Sequence, residues 1–386
     1  MNNKPTILLV ANWESGVGYA WWLMESFWTT IADQTNNKGF TNLLIYPKIT
    51  SIPQTIHQSD ILIEEFNFNA PMSVWLPLAY RLCKQHNVQY IYLTDWPTFN
   101  FKYIFLKLFG VKKILIHEHT PGERTPAHGF KRILKVLTQR IPFFTADYFI
   151  AVTDFIFDRF INVACIPRQK CFVAPNGIIP IDLDKADLKY CQKTFNIPED
   201  RTVIITTGRA TYYKGIDFFI KCANRLVNEK QRKDFHFLYC GDGPNLDEFK
   251  QLVSGFKLDN FFTFAGKRND VREILPSCHI GFHAALGEVG YSLSILEYMN
   301  SRLVTIVPNN ASTALATTHG ETGYLYDRSS LDSAVDCILK AAEHSEDNES
   351  IRDQGKRMVD QTLTLSHTHS ALQNIVNNTI LRNTSR

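Results

Sequence analysis

What this chain has little of narrows it first. Its 386 residues contain no uncharged apolar run near the ~20 residues that a membrane-spanning helix needs. Its eight cysteines stand singly, with no Cys-x-x-Cys pair and no clustered Cys/His spacing, which argues against a structural zinc site and for a reducing compartment. Charge of one sign is also scarce: 41 basic and 38 acidic residues leave a formal net of +3, too little for a nucleic-acid binder held by bulk charge. Short repeats and low-complexity tracts are missing. The N-terminus runs from Met1-Asn2-Asn3-Lys4-Pro5 straight into the strand-like Thr6–Val10, too short for the apolar region of a signal peptide, so a cytoplasmic protein is expected. What is present is core material: 45% hydrophobic residues, with 27 Phe, 15 Tyr and 6 Trp, exclude global disorder.

At this length two domains are expected, because single cores tend to stop growing near ~250 residues. Continuously apolar runs of strand length recur at Ile7–Val10, Leu43–Tyr46, Ile61–Glu64, Tyr90–Leu93, Ile114–Ile116, Tyr148–Val152 and Phe172–Ala174. A second series follows at Val203–Thr206, Phe235–Tyr239, Phe261–Phe264, His279–Phe282, Val304–Val307 and Tyr324–Tyr326. Helix-length segments separate them, the pattern of buried parallel strands in α/β domains. The expected layout is a Rossmann-like domain over 1–178, a second over 179–365, and a C-terminal helix over 366–386 that crosses back to the first. The Pro/Gly-rich stretch Pro175–Asp182 supplies the linker. In such domains ligands bind beyond the carboxyl ends of the strands, here in a cleft between two facing domains.

Three segments carry chemistry. In Thr206-Thr207-Gly208-Arg209-Ala210-Thr211-Tyr212-Tyr213-Lys214-Gly215, a strand ends at a glycine and a loop presents Arg209 and Lys214 just before a helix. A planar guanidinium and a point charge beside a helix start suit a diphosphate. In Gly287–Met299, a glycine loop with Glu288, Gly290 and Tyr291 leads into a helix that Ser292 is placed to cap. Backbone N–H groups near Ser292 and Leu293 suit phosphate, and Glu297, about one turn in, could take a pair of sugar hydroxyls. In Ile116-His117-Glu118-His119, two histidines follow a strand, with Asp95 after the preceding one. Each alone also reads as a solvated charge, a cap or a satisfied core histidine.

Taken in order, Gly208-Arg209…Lys214-Gly215, Tyr239-Cys240-Gly241-Asp242-Gly243-Pro244, Phe264-Ala265-Gly266, the Glu288–Glu297 segment and Thr322-Gly323-Tyr324-Leu325 resemble the C-terminal half of GT-B retaining glycosyltransferases of family 4. Val173–Ile178 resembles that family's entry into its second domain, and Gly16-Val17-Gly18 its N-terminal glycine loop. The resemblance implies a UDP- or GDP-sugar donor whose diphosphate is neutralised by Arg209 and Lys214, with Glu297 on the ribose. It further implies donor contacts from Gly16, Gly18, Gly208, Gly241, Arg268, Gly290, Tyr291, Ser292 and Leu293. His117 aligns with the family's His-Asp pair, Glu118 standing for Asp, and would bond the sugar or orient the acceptor; His119 competes for that role, with Asp95 a weaker acceptor ligand. The family's first glutamate normally lies eight positions before its second, whereas Glu288 lies nine before Glu297. One inserted residue is the favoured explanation, which leaves Glu288 in its catalytic place beside His117, Arg209 and Lys214. No cofactor and no metal is expected: the sole Asp-x-Asp, Asp182-Leu183-Asp184, falls in the linker.

The near-neutral total conceals a local excess. Arg81–Arg140 carries eleven basic residues against Asp95, Glu118 and Glu123, a net of +8. Within it Phe130, Ile133, Leu134 and Leu137 recur at i, i+3, i+4 and i+7 among Lys131, Arg132, Lys135 and Arg140, an amphipathic basic helix. Two destinations are open to it, packing on its own sheet or lying on the anionic inner face of a membrane. The expected function is sugar transfer with retention to a glycan or lipid-linked acceptor, in cell-surface polysaccharide or lipopolysaccharide assembly. Competing readings are a GT-B sugar-nucleotide epimerase, an oxidoreductase using Gly16–Gly18, and a catalytically silent sugar-nucleotide binding module.

Overall fold

The computed structural model describes residues 4–17 and 21–384. Its chain divides into two compact units, the first comprising the residues up to Thr120, Arg124–Pro175 and those from His367 onward, the second Pro121–Glu123 and Asn176–Ser366.

The first unit holds seven strands: β1 (Thr6–Val10), β2 (Thr41–Tyr46), β3 (Ile61–Glu65), β4 (Val88–Thr94), β5 (Lys113–Glu118), β6 (Tyr148–Ala151) and β7 (Cys171–Val173). They pair in parallel in the order β3-β2-β1-β4-β5-β6-β7. The second unit holds β8 (Thr202–Thr207), β9 (Phe235–Cys240), β10 (Phe262–Gly266), β11 (Ile280–Phe282), β12 (Val304–Pro308) and β13 (Tyr324–Tyr326), also all parallel, in the order β10-β9-β8-β11-β12-β13. Every apolar run singled out in the sequence overlaps one of these strands. The reason is burial on both sheet faces: Ile7–Val10, Val203–Ile205 and Val304 are all fully buried.

Parallel neighbours require crossovers, and these are the intervening helices. In each sheet the chain starts in the middle, winds outward one way, and then returns to the other side of its first strand. The winding therefore reverses between β1 and β4 and again between β8 and β11. Loops at the carboxyl ends of those strands diverge there and leave room for a ligand.

After helix Glu346–Thr362 the chain passes through a bridge between Thr364 and Ile178 into helix Leu365–Thr379. From His367 it belongs to the first unit, where His369 Nε2 meets Ser26 Oγ at 3.1 Å and the Gln34 side-chain amide donates to the Gln373 carbonyl at 2.9 Å. Helix Gly129–Thr138 forms where the periodicity predicts, but it does not bury its apolar face against the sheet: none of its residues is buried.

Candidate active site

In the second unit, β8 is followed directly by Gly208, whose backbone (φ 149°) only glycine adopts freely. The next strand's loop comes so close that a Cβ on Gly241 would lie 1.9 Å from the Gly208 carbonyl oxygen. Arg209 projects from this loop into solvent, and among the described residues its guanidinium has no hydrogen-bond or ion-pair partner. A short turn over Tyr212–Lys214, with Thr211 Oγ1 accepting the Lys214 N–H, then delivers Lys214. Gly215 (φ 71°) lets the turn lie against the β11 loop, where a Cβ would stand 2.1 Å from the Ala284 carbonyl oxygen.

That loop brings the counter-charge. The Lys214 ammonium donates to Glu288 Oε1 at 2.5 Å, and His283 Nε2 lies 3.1 Å from the same oxygen. Glu288 is 7% exposed, and the Ser312 hydroxyl, itself bonded to Asn310, accepts its backbone N–H. Burial pushes the Glu288 carboxyl up, but the Lys214 charge and His283 outweigh it and hold it down to about 2. The carboxylate is thus ionised across the physiological range and fixes the direction of the Lys214 ammonium. Glu297, on helix Leu293–Asn300, has the opposite character: burial, opposed by Arg272, pushes its carboxyl up to about 7, and among the described residues that carboxyl has no hydrogen-bond partner. Ser292 does occupy the N-cap position, yet its side chain makes no capping bond; its hydroxyl turns 3.1 Å from that of Ser294. The first N–H groups of the helix are thereby left without that cap.

In the first unit, β5 carries His117 and Glu118 at its carboxyl end, next to Asp95 after β4. His117 is fully buried, its Nδ1 2.5 Å from the Tyr92 hydroxyl, and its Nε2 is unpartnered among the described residues. The His119 ring lies 4.2 Å away; among the described residues neither of its nitrogens has a hydrogen-bond partner, and Nδ1 stands 4.0 Å from Asp95 Oδ1. Burial holds both imidazoles neutral, His119 down to about 3 and His117 well below its ordinary value with help from its neighbour. Asp95, at φ 56°, accepts the His119 N–H and so fixes that loop. Burial pushes it up to about 6 against Arg159 and Arg124. Glu118 is likewise pushed up to about 7 by burial and by Asp95, and its Oε1 accepts from buried Arg159 at 3.0 Å and from Thr120. Two neutral imidazoles beside acids with raised pKa form a set of groups that can pass hydrogen bonds to hydroxyls near pH 7.

The glycosyltransferases group 1 family model matches residues 201–344, and the Glycosyltransferase Family 4 model matches residues 29–180. The chain belongs to the family 4 glycosyltransferases. A phosphatidylinositol N-acetylglucosaminyltransferase GPI3 subunit of Saccharomyces cerevisiae is 24% identical over 184 residues, 45% of this chain and 40% of that protein. The match thus spans less than half the length of that curated relative. Among solved structures, a glycosyltransferase from Rickettsia africae ESF-5 superposes with TM-score 0.78 at 18% identity over 98% of this chain and 99% of its own. Anabaena HepE in complex with UDP superposes with TM-score 0.72 at 15% identity, over 97% and 100%. At those identities the likeness shows the fold, which is GT-B.

Within this glycosyltransferase chain, the structure brings Lys214 and Glu288 together and sets Arg209, Gly208 and Gly241 at the same strand ends. Gly290 (φ 131°), Tyr291, Ser292 and Leu293 form the entry to the Glu297 helix. Arg268 is not free: its guanidinium is clamped on Asp270, which also takes the Tyr190 hydroxyl. Gly16 (φ 79°) sits beside Ser51, and Gly18 lies outside the described residues. Asp182 pairs with Lys185 at an exposed turn, and among the described residues no group of three or more His, Cys, Asp or Glu could hold a metal ion. Sequence reading missed His283, Ser312 and Arg159. His283 directly follows β11, so the rule that chemistry lies just past strand ends would have found it.

Proposed function

We propose that the chain transfers a sugar from a UDP-sugar to a lipid-linked or glycan acceptor with retention of configuration. The observation that carries this reading is the Lys214–Glu288–His283 cluster beside unpaired Arg209 at the switch point of the second sheet. Two cations there match a diphosphate, and Glu288, an acceptor already occupied by Lys214 and His283, is held as an orienting group rather than a free nucleophile. Retention, which the resemblance to family 4 implies, would then proceed without a protein nucleophile. The bond from the anomeric carbon to the diphosphate oxygen breaks, the acceptor oxygen bonds to the same face, and its proton passes to the departing phosphate. Arg209 and Lys214 stabilise the charge that builds on the leaving group. Ionised Glu297 would accept the ribose hydroxyls, and neutral His117 or His119 would meet sugar or acceptor hydroxyls.

UDP is favoured as the leaving group because UDP is bound in HepE, and N-acetylglucosamine is the first sugar to test because the yeast relative's name carries it. The same name makes phosphatidylinositol the first lipid acceptor to try. A screen of UDP- and GDP-sugars with lipid acceptors, followed by NMR of the new linkage, checks the reading. The expected result is UDP release with an axial anomeric bond. Tight UDP binding with no sugar released to any acceptor would instead mark a binding module.

A further inference from the structure

The helix Gly129–Thr138 is mounted the opposite way from an ordinary surface helix. Phe130, Ile133, Leu134 and Leu137 share one face by their spacing, and they are 77%, 57%, 52% and 58% exposed. The chain beyond adds Ile141 and Phe143, 40% and 56% exposed. What holds the helix to its unit is the other side, where Arg132 donates to the Asn162 carbonyl at 3.0 Å. Beneath that side lies a cavity of about 540 Å³ lined by Arg132, Val136, Arg140, Ile161 and Arg168. A second cavity of about 460 Å³ shares Arg140 and adds Lys112 and Lys170. Among the described residues, none of Lys131, Arg132, Lys135, Arg140, Arg168 and Lys170 takes part in an ion pair. A contiguous apolar face rimmed by unpaired cations, over an arginine-lined cavity, calls for a partner that is apolar in the middle and anionic at the edge.

We propose that this face docks on an anionic phospholipid surface, with the apolar side chains entering the acyl boundary and a headgroup phosphate held in the cavity by Arg132, Arg140 and Arg168. Three guanidinium groups about one pocket suit a phosphate, which takes paired N–H bonds. The cationic rim adds long-range attraction to a negative leaflet. A second copy of the chain fits poorly, since a two-fold pairing of this patch would set the cations of one copy against those of the other. Among the described residues no helix is long and apolar enough to cross a membrane, so the contact would be peripheral.

Flotation of the full chain with vesicles tests this, using phosphatidylcholine alone and an equimolar mixture with phosphatidylglycerol. The wild type should float with the mixture and not with phosphatidylcholine alone. Ile133→Ser with Leu137→Ser should lower partitioning by about tenfold or more, and Arg140→Glu with Arg168→Glu should abolish the preference for anionic lipid. Phe130→Ser repeats the apolar test at the most exposed position. UDP affinity and thermal melting, read on the same variants, should stay unchanged, which separates loss of docking from loss of the donor site or of the fold. Equal flotation with both vesicles, or flotation indifferent to every variant, would overturn the assignment. So would a wild-type dimer that Ile133→Ser with Leu137→Ser dissociates while no vesicle is bound, because the face would then join two copies of the chain.

Discussion

Glu288 and Glu297 lie nine positions apart and face opposite linkages. The Glu288 carboxyl, held down to about 2, is favoured in the folded state in its ionised form. Its contribution is fully present above the ordinary carboxylate value of 4.5 and fades as pH falls towards 2. Glu297, pushed up to about 7, binds its proton more tightly folded than unfolded, so ionising it costs stability as pH rises from 4.5 to about 7. Glu297→Gln should therefore stabilise the ligand-free protein by about 1–2 kcal/mol at pH 8 and leave it nearly unchanged at pH 4.5. Glu288→Gln should destabilise it by about 1–3 kcal/mol at pH 8, because the half-buried Lys214 ammonium loses its counter-charge. Urea melts at the two pH values check both, and a Glu297→Gln effect of equal size at each would contradict the assigned titration. The same ionisation should make UDP bind more tightly at pH 8 than at pH 6, a difference that Glu297→Gln removes.

At the scale of elements, the loops after β8 and β9 depend on glycines that admit neighbouring backbone. Gly215→Ala combines a left-handed backbone with a Cβ 2.1 Å from the Ala284 carbonyl oxygen and should cost about 2–4 kcal/mol in a denaturant melt. A loss below 1 kcal/mol, on the order of an unstrained Gly-to-Ala change, would mean that the turn relaxes freely. The strands were legible in the sequence because a strand buried on both faces must be apolar throughout. Their order was legible only as a class, since βα alternation requires parallel pairing without saying where the winding reverses. The helix at Gly129–Thr138 shows the limit in another way: spacing identifies which residues share a face, but not whether the sheet or the solvent receives it. Among the candidate site residues, Arg209, Lys214 and Glu288 could be singled out in the sequence because they stand in loops after strands. The pairing of Lys214 with Glu288 across 74 positions could not, because no local pattern links two loops; His283 was within reach of the same strand-end rule, although a lone histidine there reads as well as core. Ser292 was placed correctly at the helix start, but its hydroxyl found a nearer partner in Ser294.

At the scale of the whole molecule, the chain leaves the first unit at Pro175 and returns to it at His367. Leu372, Ile375 and Val376 of the returning helix are buried, and Thr368 donates to the Pro175 carbonyl at 2.7 Å. Removing the residues from Leu365 onward should cost the first unit about 5 kcal/mol, at roughly 1.5–3 kcal/mol for each of those three side chains. Scanning calorimetry should then show an earlier transition for that unit, while the transition that UDP raises stays in place. A single transition that shifts as one would mean that the two units unfold together. The central claim, that the ends of β8 and β11 form a nucleoside diphosphate site, is tested most directly by calorimetric titration of UDP. Wild-type protein should bind UDP, and Arg209→Ala with Lys214→Ala should weaken it by about a hundredfold while the melting profile is retained. Equal affinity in the folded double variant would contradict the account.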